Sequence, residues 1–249
     1  GAITTRNPIE KLFDKVADPE LTAVAQIAPA VRVALGEEFG LPAGTITTGK
    51  IYTALRMLGF KYVFDTNFAA DLTIMEEGTE LLQRIKEGKN LPLFTSCCPG
   101  WVDYAEKNYH EFLPNLSTAK SPQQMQGAIT KTYWAEQANL PADKIFSVSI
   151  MPCTAKAYEA RRNDDMKASG AQDVDMVLTT REFAQVIRQA GIDFAALEDS
   201  EADSPIGPYT GAGTIFGATG GVMEAAVRTA YALVTGKELG DVNYLPARG

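Results

Sequence analysis

Short apolar runs alternate along the chain with longer stretches whose apolar residues recur every three or four positions. The short runs are rich in Val, Ile, Phe or Leu and lie close to Gly, Pro or polar residues, which is typical of buried strands. This pattern predicts strands at Thr22–Ile27, Lys61–Phe64, Pro92–Thr95, Ile145–Ile150 and Val174–Leu178.

The amphipathic stretches predict long helices between and after these strands. One begins at a Ser-Pro pair, another begins close to a capping pattern, and glycine follows two of them. The predicted helices are Asn67–Lys86, Ser121–Asn139, Thr180–Ala190 and Gly221–Thr235. Strands that alternate with helices predict an α/β fold of parallel βα units, in which functional loops leave the carboxyl ends of the strands.

Charge and composition narrow the functional classes. The 249 residues carry a formal net charge of −8, and an acidic surface argues against nucleic acid or an anionic membrane as the main partner. No apolar run approaches the roughly 20 residues that a membrane-spanning helix needs, so we expect no membrane span. Three cysteines do not indicate a disulfide framework in a chain of this length, which favours a reducing, cytoplasmic setting.

All three cysteines follow predicted strands. The segment Thr-Ser-Cys-Cys-Pro-Gly-Trp places Cys97 and Cys98 after the third strand, and Met-Pro-Cys-Thr-Ala-Lys-Ala-Tyr-Glu places Cys153 after the fourth. Thiolates there could ligate a soft metal, and iron–sulfur clusters are held by cysteine thiolates. From physics alone, buried structural cysteines explain the residues equally well, because free cysteine is among the most buried residue types.

The segment Glu198–Thr219 is irregular, acidic in its first half and rich in glycine in its second. We interpret the acidic half as a solvated loop. In the second half the glycines allow the backbone to approach another group closely. A phosphate at a helix N-terminus is one candidate, but the segment lacks the Lys-Ser/Thr ending of a P-loop and the glycine spacing of a dinucleotide fingerprint.

The two cysteine segments are similar, letter for letter, to the first two signature motifs of the FeFe hydrogenases, TSCCP and MPCxxKxxE. The resemblance covers essentially the whole chain and includes five further segments, at residues 49–56, 71–77, 119–124, 178–182 and 210–226. It implies two lobes of mostly parallel sheets flanked by helices, with the active site in the cleft between them. We expect the lobes to comprise residues 1-96 plus 215-249 and residues 97-214.

In that family the active site is the H-cluster, a 4Fe–4S cubane joined through a cysteine to a di-iron subcluster with CO, cyanide and an amine-bearing dithiolate bridge. The resemblance implies that Cys98 and Cys153 ligate the cubane and that Lys156 donates a cationic hydrogen bond to a cyanide. Many relatives have Ser where Ala30 stands, so a hydroxyl contact is lost here. The residues expected to line the di-iron subcluster, besides Lys156, are Ala28, Pro29, Ala30, Ser121, Pro122, Gln123, Met151, Phe216 and Gly217.

The resemblance also implies a proton path through Cys97, Glu80, Ser117 and Glu77, with Arg84 near its outer end. Cys97 is expected to remain a thiol that faces the bridge amine, since a thiol pKa of about 8.5 is within reach of neutral pH. Glu77, Glu80 and Arg84 are three and four residues apart and share one face of a helix. A solvated, salt-bridged stripe is the alternative interpretation of these three residues. Buried carboxylates in such a path would have raised pKa values.

The family's third motif, which supplies two more cubane cysteines, does not occur in these 249 residues. We therefore interpret residues 1-249 as an incomplete H-cluster core, and we expect the C-terminal remainder of the core or a partner chain to supply those cysteines. The isolated chain is expected to be inactive. Family members carry further 4Fe–4S clusters, and the expected electron partner is ferredoxin or an NAD(P)H-linked subunit.

The sequence is compatible with three functional classes. The first is a hydrogenase that reversibly reduces protons to dihydrogen. The second is a sensory or assembly relative without strong turnover, which usually loses proton-path residues such as Cys97, Glu77, Glu80 and Ser117, all present here. The third is a simple 4Fe–4S protein, against which Lys156 argues because a cubane alone needs no cyanide donor.

Overall fold

A computed structural model describes residues 8–204 and 206–241. These residues pack into two compact units. Unit 1 contains the described residues up to Asp65 and those of Gly127–Ile206, and unit 2 contains Thr66–Gln126 and the described residues from Gly207 onward. These boundaries differ from the expected lobes, because the chain leaves unit 1 at the end of a strand and returns to it inside a helix.

Unit 1 is built on a four-stranded parallel sheet with the order β2-β1-β3-β4. The strands are β1 Thr22–Ile27, β2 Tyr62–Asp65, β3 Ile145–Met151 and β4 Met176–Thr179. Four of the five predicted strands are therefore confirmed, and so is the α/β class.

The helices are numbered in chain order through both units, and α1–α3, α7–α9 and most of the short 3-10 turns belong to unit 1. Their bounds are α1 Ile9–Ala17, α2 Val31–Ala34, α3 Thr48–Met57, α4 Thr66–Glu87, α5 Pro99–Asn108, α6 Pro122–Ile129, α7 Ala135–Gln137, α8 Ala155–Glu159, α9 Thr180–Gln189, α10 Gly211–Ile215 and α11 Gly221–Thr235.

The sheet of unit 1 buries both of its faces, as parallel sheets do. Successive side chains of a strand point to opposite faces. In β1, Ala23, Ala25 and Ile27 pack into the large apolar cluster on one face, whereas Val24 packs with Phe64 and Trp134 on the other. The continuous apolar runs of the sequence follow from this two-sided burial.

The predicted helix Ser121–Asn139 is confirmed as α6 and α7 joined by a π-helical turn at Thr130–Trp134. Lys131 in this turn is 3% exposed, and its ammonium lies 2.6 Å from the Asp175 carboxylate. The same carboxylate accepts the Ser147 N–H of β3 at 2.8 Å. The buried ion pair thus connects the helix to the sheet.

Unit 2 is helical, with α10 and α11 packed against α4. Its described residues contain no strand, so the expected second sheet is wrong for this part of the chain. The predicted strand Pro92–Thr95 forms only one bridge, between Phe94 and Leu116. Phe94 donates to the Asn115 carbonyl and accepts from the Ser117 N–H, each at 2.8 Å, and the pairing cannot extend to Pro92, which has no N–H to donate.

The remaining long helices begin and end close to their predicted bounds. Helix α9 starts with a full capping box between Thr179 and Glu182, and α11 ends at Gly236 with a left-handed φ of 67°. The longest helix, α4, is amphipathic over 22 residues. Across residues 8–204 and 206–241, none of the helices combines the length and the apolar content that crossing a bilayer requires.

The acidic half of Glu198–Thr219 is not the fully solvated loop that we expected. Its Asp203 carboxylate accepts hydrogen bonds from the Val63 N–H at 2.8 Å and from Arg56 at 3.1 Å. These contacts fasten the segment to β2 and α3, which sequence patterns could not indicate because the partners are about 140 residues away.

Candidate functional site

The carboxyl ends of β1 and β3 form a topological switch point in unit 1. The chain passes from β1 to β2 on one side and from β3 to β4 on the other, and open parallel sheets bind ligands at such a point. The loop after β1 is Ala28–Ala30, and the loop after β3 carries Cys153. The Ala28 N–H donates to the Ile150 carbonyl at 3.0 Å, which joins the starts of the two loops.

Lys156 lies in α8, three residues after the half-buried Cys153. It is 8% exposed, and its ammonium donates to both carboxylate oxygens of Glu159, at 2.9 and 3.1 Å. A buried cation needs such a partner, and a residue three positions on lies on the same helix face. Met151, the last residue of β3, is buried just before this loop.

A buried network supports the loop after β1. Asp65, at the end of β2, accepts two hydrogen bonds of 2.9 Å from Arg32 and one of 2.6 Å from the Tyr52 hydroxyl. Arg32 stands two residues after Ala30, in α2. Both bonds come from one nitrogen, Nη2, and this charge-assisted contact attaches α2 to the end of β2.

Cys97 and Cys98 lie immediately before α5 in unit 2. Cys98 is the N-cap residue of this helix and Pro99 its first residue, while the Cys98 N–H donates to the Ser96 hydroxyl at 3.1 Å. Both side chains are exposed, and the three cysteines, all within the described residues, form no disulfide.

Glu80 in α4 receives hydrogen bonds from several donors. Its Oε2 accepts the Ser117 hydroxyl at 2.7 Å, and its Oε1 accepts Arg84 Nη2 at 2.6 Å. The Thr118 N–H reaches both oxygens at 3.2 and 3.3 Å. Burial by itself would raise the pKa of Glu80, but the bonds from Ser117, Arg84 and Thr118 outweigh it and hold the pKa below its ordinary value.

The pKa of Glu77, one helical turn before Glu80, is shifted in the opposite direction. It is 5% exposed, and its Oε2 is buried and accepts no hydrogen bond from any described residue. Burial, together with the negative charge of Glu80, raises the pKa of Glu77 to about 7. A carboxyl group with such a pKa can take up and release a proton near neutral pH. The interpretation of α4 as a solvated stripe is therefore wrong for this residue.

Arg84 is 8% exposed and organises the segment that carries Ser117. Besides Glu80, its guanidinium donates to four backbone carbonyls that precede Ser117 in the chain. The accepting residues are Asn90, Pro114, Asn115 and Leu116, at distances between 2.6 and 3.1 Å. Arg84 therefore holds the backbone just before Ser117 in place.

The other predicted cofactor residues of unit 2 lie at the start of α6 and just after the end of α10. Ser121 and Gln123 are buried at the start of α6, where the Ser121 carbonyl accepts the Met125 N–H at 2.8 Å. Phe216 and Gly217 directly follow α10, both within the glycine-rich segment. This segment is attached to α4 through Asp71, a residue to which we had given no role.

The chain matches the family described as the iron only hydrogenase large subunit, C-terminal domain, over residues 21–249. It belongs to this family.

Three curated hydrogenases are identical to this chain at about half of the aligned residues. Iron hydrogenase 1 of Clostridium pasteurianum is 51% identical and covers 100% of the chain, which spans 43% of that protein. The NADP-reducing hydrogenase subunit HndD of Solidesulfovibrio fructosivorans has the same values. The periplasmic Fe hydrogenase large subunit of Nitratidesulfovibrio vulgaris is 52% identical, over 97% of the chain and 58% of that protein. The chain thus spans about half the length of these relatives.

Solved hydrogenases share the fold. The apo FeFe-hydrogenase HydA1 of Chlamydomonas reinhardtii superposes with a TM-score of 0.86 at 44% identity, over 98% of the chain and 63% of that structure. More distant relatives are named for iron–sulfur assembly. The rat cytosolic iron-sulfur assembly component 3 is 36% identical over 96% of the chain.

The residues of this hydrogenase-family chain fit part of an H-cluster. A cubane takes four cysteine thiolates, and the predicted thiolate ligands are Cys98 and Cys153. The described residues contain no cluster of three or more His, Cys, Asp or Glu side chains that could hold a metal ion by itself. The accessible thiol of Cys98 and the buried cation of Lys156 nevertheless suit a soft metal and an anionic ligand, respectively.

Sequence reasoning missed Asp65 and Asp71. A signal was available for Asp65, because it is a carboxylate directly after a buried strand, at the edge where functional loops start. No local signal marked Asp71, whose partner Thr210 is 139 residues away.

Proposed function

We propose that this chain forms part of the catalytic core of an FeFe hydrogenase, which reversibly reduces protons to dihydrogen at an H-cluster. The observation that carries the proposal is the pair of carboxylates on α4. Glu77 has a pKa of about 7, and Glu80, one turn away, is ionised and hydrogen-bonded to Ser117. A core that only holds an iron–sulfur cluster has no need of a buried group that exchanges protons at neutral pH.

Each residue of the proposed proton path has a separate proposed role. Cys97 is proposed to exchange protons with the cofactor, and Glu80 and Ser117 to pass them on through their 2.7 Å hydrogen bond. Glu77 is proposed to hold a proton reversibly, and Arg84 to keep Glu80 ionised and aligned. General acid–base groups work best when their pKa lies near the operating pH, and this condition favours Glu77 as the group that stores the proton.

The residues around the cofactor have a separate role. Cys98 and Cys153 are proposed to hold the cubane, and Lys156 to donate to a cyanide of the di-iron subcluster while Glu159 keeps its ammonium in place. When bound, the H-cluster would supply the iron chemistry that forms and splits dihydrogen. The loops Ala28–Ala30 and Ser121–Gln123, with Met151, Phe216 and Gly217, are proposed to line the pocket and exclude water.

Electrons are proposed to come from ferredoxin or an NAD(P)H-linked subunit through further 4Fe–4S clusters. The name of the NADP-reducing relative supports the second of these partners. We propose a cytoplasmic location, although one relative is named as periplasmic. Cell fractionation with an antibody against this chain would decide between the two compartments.

Anaerobic infrared spectroscopy tests the proposal. The full-length protein, with its iron–sulfur clusters reconstituted, is incubated with a synthetic di-iron precursor. We expect sharp CO and cyanide bands, with cyanide bands that shift in Lys156→Ala and bands that disappear in Cys153→Ala. Lys144→Ala, at an exposed lysine, is the matched control and should leave every band in place. A full-length protein that shows no CO or cyanide bands contradicts the proposal.

The alternative is an assembly or sensory role, favoured by the similarity to the cytosolic assembly components. Hydrogen evolution separates the two functions. For the enzyme, Glu77→Gln should lower the rate by about 10²-fold or more, the usual worth of a general acid–base group. The exposed neighbour Glu76→Gln should not lower the rate. An assembly factor would bind its clusters equally well in both variants and evolve no hydrogen.

A further inference from the structure

The glycine-rich segment is attached to α4 by a single carboxylate. Asp71 Oδ1 accepts the Thr210 hydroxyl at 2.9 Å and the Gly213 N–H at 2.6 Å, and its Oδ2 accepts the Thr210 N–H at 2.5 Å. Two of these donors are backbone N–H groups, one at the N-cap residue Thr210 and one in the first turn of α10, where free N–H groups attract anions. Asp71 therefore fills the position that a phosphate would take, and the phosphate-binding interpretation of this segment loses its support.

Close packing is a second, independent sign of this attachment. Gly213 is buried, and a Cβ atom on it would lie 2.5 Å from the Asn67 carbonyl oxygen of α4. Real Cβ atoms do not approach a carbonyl oxygen so closely, so only glycine permits α10 to reach α4 at this distance. Helix α10 has five residues and cannot be stable alone, so its position depends on these tertiary contacts.

We propose that Asp71 is a positioning residue for the cofactor site, which ties the glycine-rich segment to α4 and thereby sets the position of Phe216 and Gly217. The proposal rests on the proposed function, because these two residues are expected to line the di-iron subcluster. Asp71 acts through Thr210 and Gly213, three to seven residues before the two lining residues.

Hydrogen–deuterium exchange in the cluster-free, full-length protein tests the attachment. Asp71→Ala should speed the exchange of the Thr210 and Gly213 amides by about ten- to one-hundred-fold, the range expected when hydrogen bonds to a charged group are lost. Asp71→Asn keeps one acceptor oxygen for the Gly213 N–H but places an amide NH2 opposite the Thr210 N–H, so it should restore protection at Gly213 and not at Thr210. Glu76→Gln, at an exposed carboxylate of the same helix, should change nothing. Unchanged exchange in Asp71→Ala would overturn the proposal.

Infrared spectra of the loaded protein test the positioning. Asp71→Ala and Gly213→Ala, which disturb the same contact in different ways, should each broaden and shift the CO bands while the iron–sulfur content stays constant. Faster exchange with CO bands identical to those of the unmodified protein would show that Asp71 does not position the site, and would overturn the proposal. An unmodified protein without bands would contradict the proposed function, and with it the role toward the cofactor, while the exchange result still decides whether Asp71 holds the segment.

Discussion

At the scale of the residue, burial and neighbouring groups give two glutamates of α4 different pKa values. Glu77 and Glu80 lie one turn apart on one helix face, yet the pKa of the first is raised to about 7 and that of the second is lowered. Glu80 accepts bonds from Ser117 and Arg84, whereas Oε2 of Glu77 has no donor among the described residues. Environments that move two pKa values apart assign different proton-transfer roles to the two groups.

The raised pKa of Glu77 predicts a pH-dependent stability. The folded chain holds this proton more tightly than the unfolded chain, so the stability it contributes is complete below pH 4.5 and is lost as the pH rises to about 7. Glu77→Gln has no proton to lose. Its free energy of unfolding, relative to that of the unmodified protein, should rise by up to about 3 kcal/mol between pH 4.5 and 8. Urea unfolding at both pH values measures this, with Glu76→Gln as the control. Parallel pH profiles for Glu77→Gln and the unmodified protein would refute a raised pKa.

At the scale of the element, local sequence signals predicted where helices and strands begin and end. Contacts with distant residues determined which of the predicted strands pair into a sheet. The capping box at Thr179 and the glycine after α11 are local features that the sequence pattern indicated. The predicted strand Pro92–Thr95 fails because a strand needs a continuous partner, and only Phe94 pairs, with Leu116. Pro92 has no N–H to donate, so the pairing cannot extend to it.

Two neighbouring threonines at the start of α9 test the capping box. Thr179 Oγ1 accepts the Glu182 N–H at 3.2 Å, whereas the buried Thr180 hydroxyl has no partner among the described residues. Thr179→Val should therefore lower the free energy of unfolding by about 1–2 kcal/mol. Thr180→Val, which keeps the shape and removes an unpaired hydroxyl, should be neutral or stabilising. Denaturant unfolding of both variants gives the comparison, and equal losses would contradict the assignment of the cap.

Arg84→Lys tests how the segment before Ser117 is held. Lysine keeps the charge but lacks the planar fork that reaches several carbonyls at once. We expect a loss of about 2–4 kcal/mol in the free energy of unfolding, because buried acceptors are left without donors. Arg188→Lys is the control at an exposed ion pair and should cost less than about 1 kcal/mol. Similar costs at both positions would show that Arg84 does not organise this segment.

At the scale of the whole molecule, the distribution of predicted ligands matters most. Cys153 belongs to unit 1 and Cys98 to unit 2, and the 249 residues contain only one further cysteine, Cys97. A cubane takes four thiolates. Under the proposed function, Cys98 and Cys153 would be two of these four ligands.

The isolated 249-residue chain is accordingly predicted to fail in cluster assembly. After anaerobic reconstitution we expect fewer than four irons per chain, no CO or cyanide bands and no hydrogen evolution, because two thiolates do not hold a cubane stably. Iron analysis and infrared spectra of the chain, beside the full-length protein as the positive control, check this. Hydrogen evolution by the isolated chain would disprove it.

The sequence by itself determined the features that depend on neighbours along the chain. Apolar periodicity located four strands and the long helices, and helical spacing brought Glu77, Glu80 and Arg84 to one face of α4. The cysteine motifs by themselves indicated the family. These signals are reliable because a helix or strand imposes its period directly on the sequence.

Only the tertiary structure decided the features that depend on burial and distant partners. The described residues contain no second sheet, although the sequence led us to expect one. The pKa values of Glu77 and Glu80 are shifted in opposite directions, and Asp71 is hydrogen-bonded to Thr210, 139 residues away. A pKa is set by desolvation and by the donors within reach, and neither can be read from spacing along the chain. The sequence therefore indicated the candidate carboxylates, and the folded chain set the pKa of each of them.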